Sequence, residues 1–381
     1  MKSIVSIRYC EEYDHQILRK SVENLFSDCL DVRNLISRGQ KILLKPNLLR
    51  SARPDQAIVT HPAFVEVVAE ILSDCGASLS IGDSPPLGNL QKTLAKSGYE
   101  PLMKRLNVKP IPFVHKKTIE FGDDRIYKRI DLAQEVFDFD RIINLAKLKT
   151  HCQMTLTMAV KNLFGTVIGT DKASWHLRAG KITDNFAHVL LQIYQTIRPD
   201  FSLIDGILVM QGNGPNSGEP RHVGIVGASR DALALDSSIT RLVGFPLESV
   251  RTCIIGSELG LGNTLAETID VVGDALVGFP LKDFKAPKSM SMAWNLSYWN
   301  PIRRFMENHV ITKPQINFEA CRNCGICMNH CPPKAISEVN GRMIINRKKC
   351  ISCFCCHELC GSDAISIRQP YVGKLLSSWS R

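Results

Sequence analysis

Eight cysteines near the C-terminal end dominate the chemistry open to this 381-residue chain. Cys321, Cys324, Cys327 and Cys331 follow a Cys-x2-Cys-x2-Cys-x3-Cys spacing, and the run returns 29 residues later as Cys350, Cys353, Cys356 and Cys360. The same offset maps Ala335-Ile336 onto Ala364-Ile365, so the segment reads as a duplicated unit with pseudo-two-fold symmetry. Thiols this dense, in a chain neither short nor evenly stocked with cysteine, point to metal rather than to a disulfide scaffold. Zinc also takes four cysteines, but usually as separated Cys-x2-Cys pairs. Unbroken runs of four suit cubane iron–sulfur clusters. Three close cysteines wrap a loop around one cubane face, and the fourth, unable to fold back onto that cube, reaches the other.

The spacing resembles that of the bacterial two-cluster ferredoxins. Carried over residue by residue, it gives one [4Fe-4S] cluster to Cys321, Cys324, Cys327 and Cys360, and a second to Cys350, Cys353, Cys356 and Cys331. The halves are not identical. Gly325 in the first loop faces Phe354 in the second, Pro332 faces Gly361, and the second loop holds an extra thiol, Cys355, read as a spectator. Two clusters in one small fold make a short electron wire. Its attachment to about 280 further residues argues that electrons are delivered to, or taken from, something on the same chain.

The second constellation is polar and lies at strand ends. In Ile143–His151, Lys147, Lys149 and His151 alternate, so they share one face of an extended run. Two ammoniums and an imidazole there suit a carboxylate, phosphate or enolate; the plainer alternative is a solvated strand end. Lys161 and Asn162 follow in a run whose apolar residues suit a core. Lys45 and Asn47, Asp83, and Asp205 close or interrupt other strands. In open α/β sheets ligands bind outside the carboxyl ends of strands, so these residues are nominated as neighbours around one crevice. The loop Gly212–Gly218 is glycine-rich but is not a dinucleotide fingerprint, since Pro215 removes an amide and the third glycine falls late. It reads as a ligand-covering loop or a plain turn. Asp231 and Asp236 flank a helix start and are candidates for a metal or a cationic group, with Asp231 equally a candidate N-cap. His176, His188 and His222 stand alone.

Elements that could position these groups alternate along residues 1–281. Strand-like runs at Lys41–Pro46, Leu79–Gly82, Arg141–Leu145, Ser202–Met210 and Val223–Val226 alternate with helical patterns at Pro62–Cys75, Met154–Phe164, Thr183–Tyr194 and Asp231–Leu242. Thr60 is the expected cap of the Pro62 helix, and Lys116–Arg129 an expected edge hairpin. The pattern predicts an α/β fold with a mixed or mostly parallel sheet and flanking helices, plus a small C-terminal ferredoxin-type α+β domain. Residues 282–315, basic and aromatic, are expected to be a connector docked on its neighbours, 316–369 the two-cluster domain, and 370–381 a tail.

Composition narrows the partners. The chain is 44% hydrophobic and 22% charged, so wholesale disorder is excluded. Its apolar runs are too short for a membrane span, and no apolar signal core follows Lys2, which makes cytoplasm the expected address. The formal charge is +10, which two clusters of about −2 each would lower to about +6. That excess is spread along the chain and gives no footprint for nucleic acid.

The strings LLKPNLL, VTHPAFVEVVAEIL, IGDSP, LAKLKTH, AVKNLFGTVIG and DGILVMQGNGPNSGEPR resemble the large prokaryotic family catalogued as domain of unknown function 362, whose members often end in a ferredoxin module. The resemblance covers about Ile42–Gly273 and the cysteine segment. It favours Lys149, His151, Lys161 and Asn162 as site residues and implies no substrate. The expected function is that of an oxygen-sensitive iron–sulfur oxidoreductase exchanging electrons with an external carrier protein. Lys147 and Lys149 would hold a small anion, His151 would donate a proton, and Asp83 or Asp205 would position substrate or metal. The alternatives are a carrier or assembly partner whose α/β domain is a docking platform, and a redox sensor.

Overall fold

A computed structural model describes the chain except for residues 1, 30–31, 33–35, 87, 124, 170, 181, 275–278, 289–312 and 369–381. Most of the expected connector and the whole expected tail therefore lie outside the described residues.

Nine strands form the central sheet. They are β1 (Ser3–Tyr9), β2 (Lys41–Pro46), β3 (Ser78–Ile81), β4 (Lys109–Pro110), β7 (Arg141–His151), β8 (Thr155–Thr157), β9 (Phe201–Gln211), β10 (Glu219–Ser229) and β11 (Ile269–Gly273). The order is β11-β1-β10-β9-β7-β2-β3-β4, with β8 paired to the end of β7. Neighbours pair in parallel except where β10 meets β1 and β9, and where β8 meets β7. The sheet is thus mixed and mostly parallel. β5 (Lys116–Glu120) and β6 (Arg129–Ala133) form the expected hairpin, but as a sheet of their own rather than on the edge of the large one.

Helices cover both faces: α1 (His15–Cys29), α2 (Pro62–Asp74), α3 (Leu90–Lys96), α4 (Glu100–Arg105), α5 (Ala159–Asn162), α6 (Asp171–Ala179), α7 (Thr183–Ile197), α8 (Ala232–Leu242) and α9 (Arg251–Glu258). A parallel strand buried on both sides reads as a nearly continuous apolar run, and the middle of β2 does: Ile42 and Leu44 pack with α1 and α2, while Leu43 joins the core under α7 and α8. In β7, Ile143 and Leu145 face the α1 side, and Ala146 and Leu148 the other.

Two local expectations fail. The Met154–Phe164 run is not one helix: β-branched Thr155 and Thr157 pair back onto β7, and helix starts only at Ala159. The α2 cap is His61, whose ring accepts from Ala63 N; Thr60 instead accepts from Asn47 N and donates to Leu145 O.

The cysteine segment is a small unit of β12 (Lys313–Ile316) paired with β15 (Ile365–Arg368), β13 (Ile336–Val339) paired with β14 (Arg342–Ile345), and short helices α10 (Ile326–Asn329) and α11 (Cys355–Leu359). Its duplication is written in the backbone. Positive φ recurs at the 29-residue offset, at Asn323 and Ser352 (49° and 55°), Gly325 and Phe354 (73° and 60°), and Lys334 and Asp363 (50° and 51°). A phenylalanine in this region is strained by about 1–2 kcal/mol. Its ring offsets the strain by burial against Cys152, in the turn between β7 and β8, and Ile367. Ser217 Oγ donating to Asp363 Oδ1 at 2.8 Å, and His357 Nε2 at 3.1 Å from Asn213 O, extend the seam. Phe354→Ala should therefore cost about 3–5 kcal/mol, and Phe354→Gly about 1 kcal/mol less because the left-handed strain is relieved. Urea unfolding followed by cluster absorbance would check that order.

Candidate functional site

β3 lies on one side of β2 and β7 on the other, so the chain reverses its direction of travel across the sheet between β2 and β7. Strand ends part at such a switch point and leave a crevice. Here Lys149, from β7, reaches across to Asn47, just past β2, donating to Asn47 Oδ1 at 2.6 Å and to Ile58 O at 2.7 Å. Lys45 lies 3.1 Å from Asp83 Oδ1, with both side chains shut from water. Asp83 also accepts from Leu48 N at 2.8 Å and Ser84 N at 2.7 Å. The solvated-strand-end alternative fails, since Lys147 and Lys149 are 0% and 1% exposed.

An asparagine lattice sets the second layer. Asn162 Nδ2 donates to Lys45 O at 2.9 Å and Asn144 Oδ1 at 2.8 Å, while its Oδ1 accepts from Asn47 Nδ2 at 3.1 Å. The short helix α5 that presents Asn162 and Lys161 starts on Asp236, whose carboxylate oxygens accept from Ala159 N (2.8 Å) and Val160 N (3.0 Å). Asp236 is thus a helix anchor, and Asp231 is the N-cap of α8. Beyond α5, Gly165 passes so close that an added Cβ would overlap Asp83 Oδ1 and Lys45 Nζ.

These residues open onto a pocket of about 800 Å³, its mouth included. Asn47, Asp83, Lys149, Lys161 and Asn162 line one side. Cys355, Glu358 and Leu359, on the second cysteine loop and α11, line the other. Lys147 and Asp205 are not brought there. They pair with each other at 2.7 Å, closed off by Tyr13, which donates to Asp205 Oδ1 at 2.8 Å and stacks on His61. His151 is buried behind the pocket. Its Nδ1 accepts from Gln153 N and Met154 N at 3.1 and 3.2 Å, which leaves the proton of a neutral ring on Nε2. Nε2 sits 3.1 Å from Glu358 Oε1, off the line of a good hydrogen bond.

Glu358, Lys172 and Thr157 line the pocket but went unread in the sequence, and His176, read as an isolated histidine, lies there too. Glu358 lies between two cluster cysteines, where spacing says nothing of the large sheet. Lys172 and His176 share one face of α6 at i, i+4, a weak signal that was present. In the glycine-rich loop, Gly214 packs on Thr150 of β7 and Pro215 lines the pocket.

Burial dominates the electrostatics. It pushes Lys149 well below its ordinary value, helped by the charge of Lys161, and lowers Lys161 and Lys45 as well. Lys172 falls to about 7, with burial the leading cause, and the same cause takes His151 to about 4 and His176 to about 3. The pocket therefore sets lysines that burial pushes toward the uncharged amine beside neutral imidazoles, with Lys172 changing charge near neutrality.

The cysteines group as the ferredoxin spacing requires. Cys327 is in electrostatic reach of Cys360, Cys321 and Cys324, and Cys331 of Cys353 and Cys350. Cys331, Cys350, Cys353 and Cys356 line one recess walled by prolines, isoleucines and Phe354. Cys331 Sγ accepts from Ala335 N and Cys360 Sγ from Ala364 N, both at 3.2 Å, as thiolate ligands would. The donor set fits two cubanes.

Two outcomes follow from this geometry. Gly165→Ala should split the Lys45–Asp83 pair and cost about 3–5 kcal/mol in unfolding experiments, whereas Gly361→Ala, with nothing within 4 Å, should cost little. Lys172 carries its proton below pH 7 and loses it above, so calorimetric affinity for a small carboxylate should fall as pH rises through about 7. Lys172→Met should flatten that dependence.

Comparison with known proteins agrees with this architecture. Residues 42–241 match the family model described as Domain of unknown function (DUF362), and residues 313–361 match a 4Fe-4S dicluster domain. A thylakoid-associated protein of Synechocystis sp. is 37% identical over 267 residues, covering 70% of this chain and 83% of that protein. Among solved structures, the lactate racemase apoprotein from Thermoanaerobacterium thermosaccharolyticum aligns with a TM-score of 0.43 at 13% identity, over 60% of this chain and only 55% of that one. The dicluster match shows that this chain carries two [4Fe-4S] clusters, the equipment of iron–sulfur electron transfer. The chain belongs to the DUF362 family, with a 4Fe-4S dicluster domain following the family region.

Proposed function

We propose that the protein is an iron–sulfur oxidoreductase, working in the cytoplasm, that exchanges electrons with an external carrier protein and passes them to or from a small anionic substrate in the pocket. One observation carries this reading. The pocket's far wall is Cys355, Glu358 and Leu359, from the same short stretch as the cluster ligands Cys353, Cys356 and Cys360. A substrate seated there would lie beside the second cysteine set.

The clusters, when bound, supply single electrons. The chain's own residues do the rest. Lys161 faces the pocket with no carboxylate in ion-pair reach among the described residues, although the charge of Glu358 acts on it, and Lys172 adds positive charge when protonated. Together they favour an anion over water. Lys147 and Asp205 neutralise each other and would serve as support rather than as anion holder and positioner. His151 is neutral and buried beside Glu358, and against the effect of burial His151 and Lys161 hold the Glu358 carboxyl below its ordinary value, so Glu358 would take a proton from substrate rather than supply one. Asp83, held by Lys45, and Asn162 and Asn47 would keep Lys149 and Lys161 in place.

A second reading, a carrier whose large domain only docks the cluster unit, draws on the Phe354, Ser217–Asp363 and His357–Asn213 seam, which needs no ligand. One experiment separates the two. The protein is purified without oxygen, its clusters reduced, the reductant removed and a protein-free metabolite extract of the source organism added, with absorbance and electron paramagnetic resonance as readouts. The enzyme reading expects reoxidation that slows at least about tenfold in Lys161→Met, a loss of about 1.4 kcal/mol of barrier lowering, at unchanged cluster content. Clusters that stay reduced until a protein fraction is added would favour the carrier.

A further inference from the structure

Buried polar atoms are almost always hydrogen-bonded, so each exception calls for a partner. Three exceptions converge on the pocket: Thr157 Oγ1, His176 Nδ1 and Glu358 Oε1 are buried without a hydrogen-bond partner. Thr157 and His176 are each 4% exposed. A fourth, His151 Nε2, stands directly behind Glu358.

The other polar groups of the pocket are already engaged. Asp83 is neutralised by Lys45, Lys149 is held by Asn47 and Ile58 O, and Lys172 donates to Ser84 O and Val167 O. Lys161 is different. It has no ion pair or hydrogen bond among the described residues and contacts the Phe164 ring, 6.0 Å from its centroid. An ammonium can only donate, whereas a carboxylate such as Glu358 accepts, and Thr157 and His176 can do either. The open groups therefore ask for an acceptor at one place and a donor at another. An inorganic oxyanion would serve Lys161 but would set negative charge against Glu358. The walls between, Phe164, Pro215 and Leu359, are apolar.

We propose that the pocket takes a small bifunctional acid: a carboxylate seated on Lys161, a short apolar body over Phe164, and a hydroxyl or amino group donating to Glu358. This deepens the reading of the pocket as a substrate site and rests on it. Thr157 and His176 then complete the hydrogen bonds of the carboxylate and of the donor-bearing carbon's substituent. Glu358 acts as a specificity-determining residue delivered by the cluster-bearing loop.

The test is binding, read separately from electron transfer. Full-length, cluster-loaded protein is titrated calorimetrically without oxygen against butyrate, butyrates bearing a hydroxyl or amine at the α, β or γ carbon, and the corresponding alcohols without a carboxylate. At least one substituted acid should bind about tenfold or more tightly than both butyrate and its alcohol, as expected when a site's buried polar group would otherwise go unpaired. Lys161→Met should weaken all the acids alike. Glu358→Leu should erase the preference for the substituted acid. Glu358→Gln, which keeps an oxygen acceptor without the charge, should retain the hydroxyl preference and lose that for the amine; it decides the matter if the leucine variant loses its clusters. Equal binding of butyrate and its derivatives, no binding by any probe at millimolar concentration, or a preference that survives both Glu358 variants would overturn the proposal. Selective binding without any reoxidation of reduced clusters would leave this ligand class standing and remove the oxidoreductase reading.

Discussion

Taking an ammonium out of water costs several kcal/mol unless the interior supplies a counter-charge or a full set of acceptors. Lys45, Lys147 and Lys149 are all but sealed, at the ends of two adjacent parallel strands. The sheet answers each differently. Lys45 has Asp83 and Lys147 has Asp205. Lys149 has only neutral oxygens, from Asn47 and Ile58, and is the lysine driven furthest from its ordinary protonation. In the proposed function, an anion from outside would supply the opposite charge that Lys149 lacks among its hydrogen-bond partners, with Lys161 beside it.

That constraint explains how closely the surrounding chain is fitted together. Asn144, Asn162 and Asn47 pass hydrogen bonds along a line that fixes β2 against α5. Gly165 is without a side chain because a Cβ there would intrude on the Lys45–Asp83 pair. Asp236, three-dimensionally adjacent but 77 residues from Ala159, gives the one-turn helix α5 the carboxylate its free N–H groups need. Each is a cost of holding charge in a dry place.

The cluster unit is built into this site rather than hung beside it. Its two halves share a backbone pattern, yet the second turns Phe354, Cys355 and Glu358 toward the large sheet while the first contributes His330 to the pocket. Where the first loop has glycine, the second accepts a strained phenylalanine and gains a buried anchor. The first loop keeps Cys324 exposed while Cys353 and Cys356 are buried, so the two clusters have an outer and an inner position.

Spacing alone determined the eight cysteine ligands and the alternation of strands and helices, because a cubane's corners and a parallel sheet's burial impose short-range periodicities on the sequence. Strand ends, as local features that parallel strands bring to one edge, also nominated Asn47 and Asp83, which line the pocket, whereas Lys161 and Asn162 came from the family resemblance. Spacing could not separate Lys147 from Lys149, two residues apart on one face. Only tertiary structure pairs the first with Asp205 and Tyr13, and leaves the second to neutral oxygens. Nor could it find Glu358, whose role depends on how one half of a symmetric unit docks on a strand end about 200 residues earlier. Long-range juxtaposition of this kind arises from packing between surfaces, which leaves no period in the chain, and that is why the second wall of the pocket was decided by the fold alone.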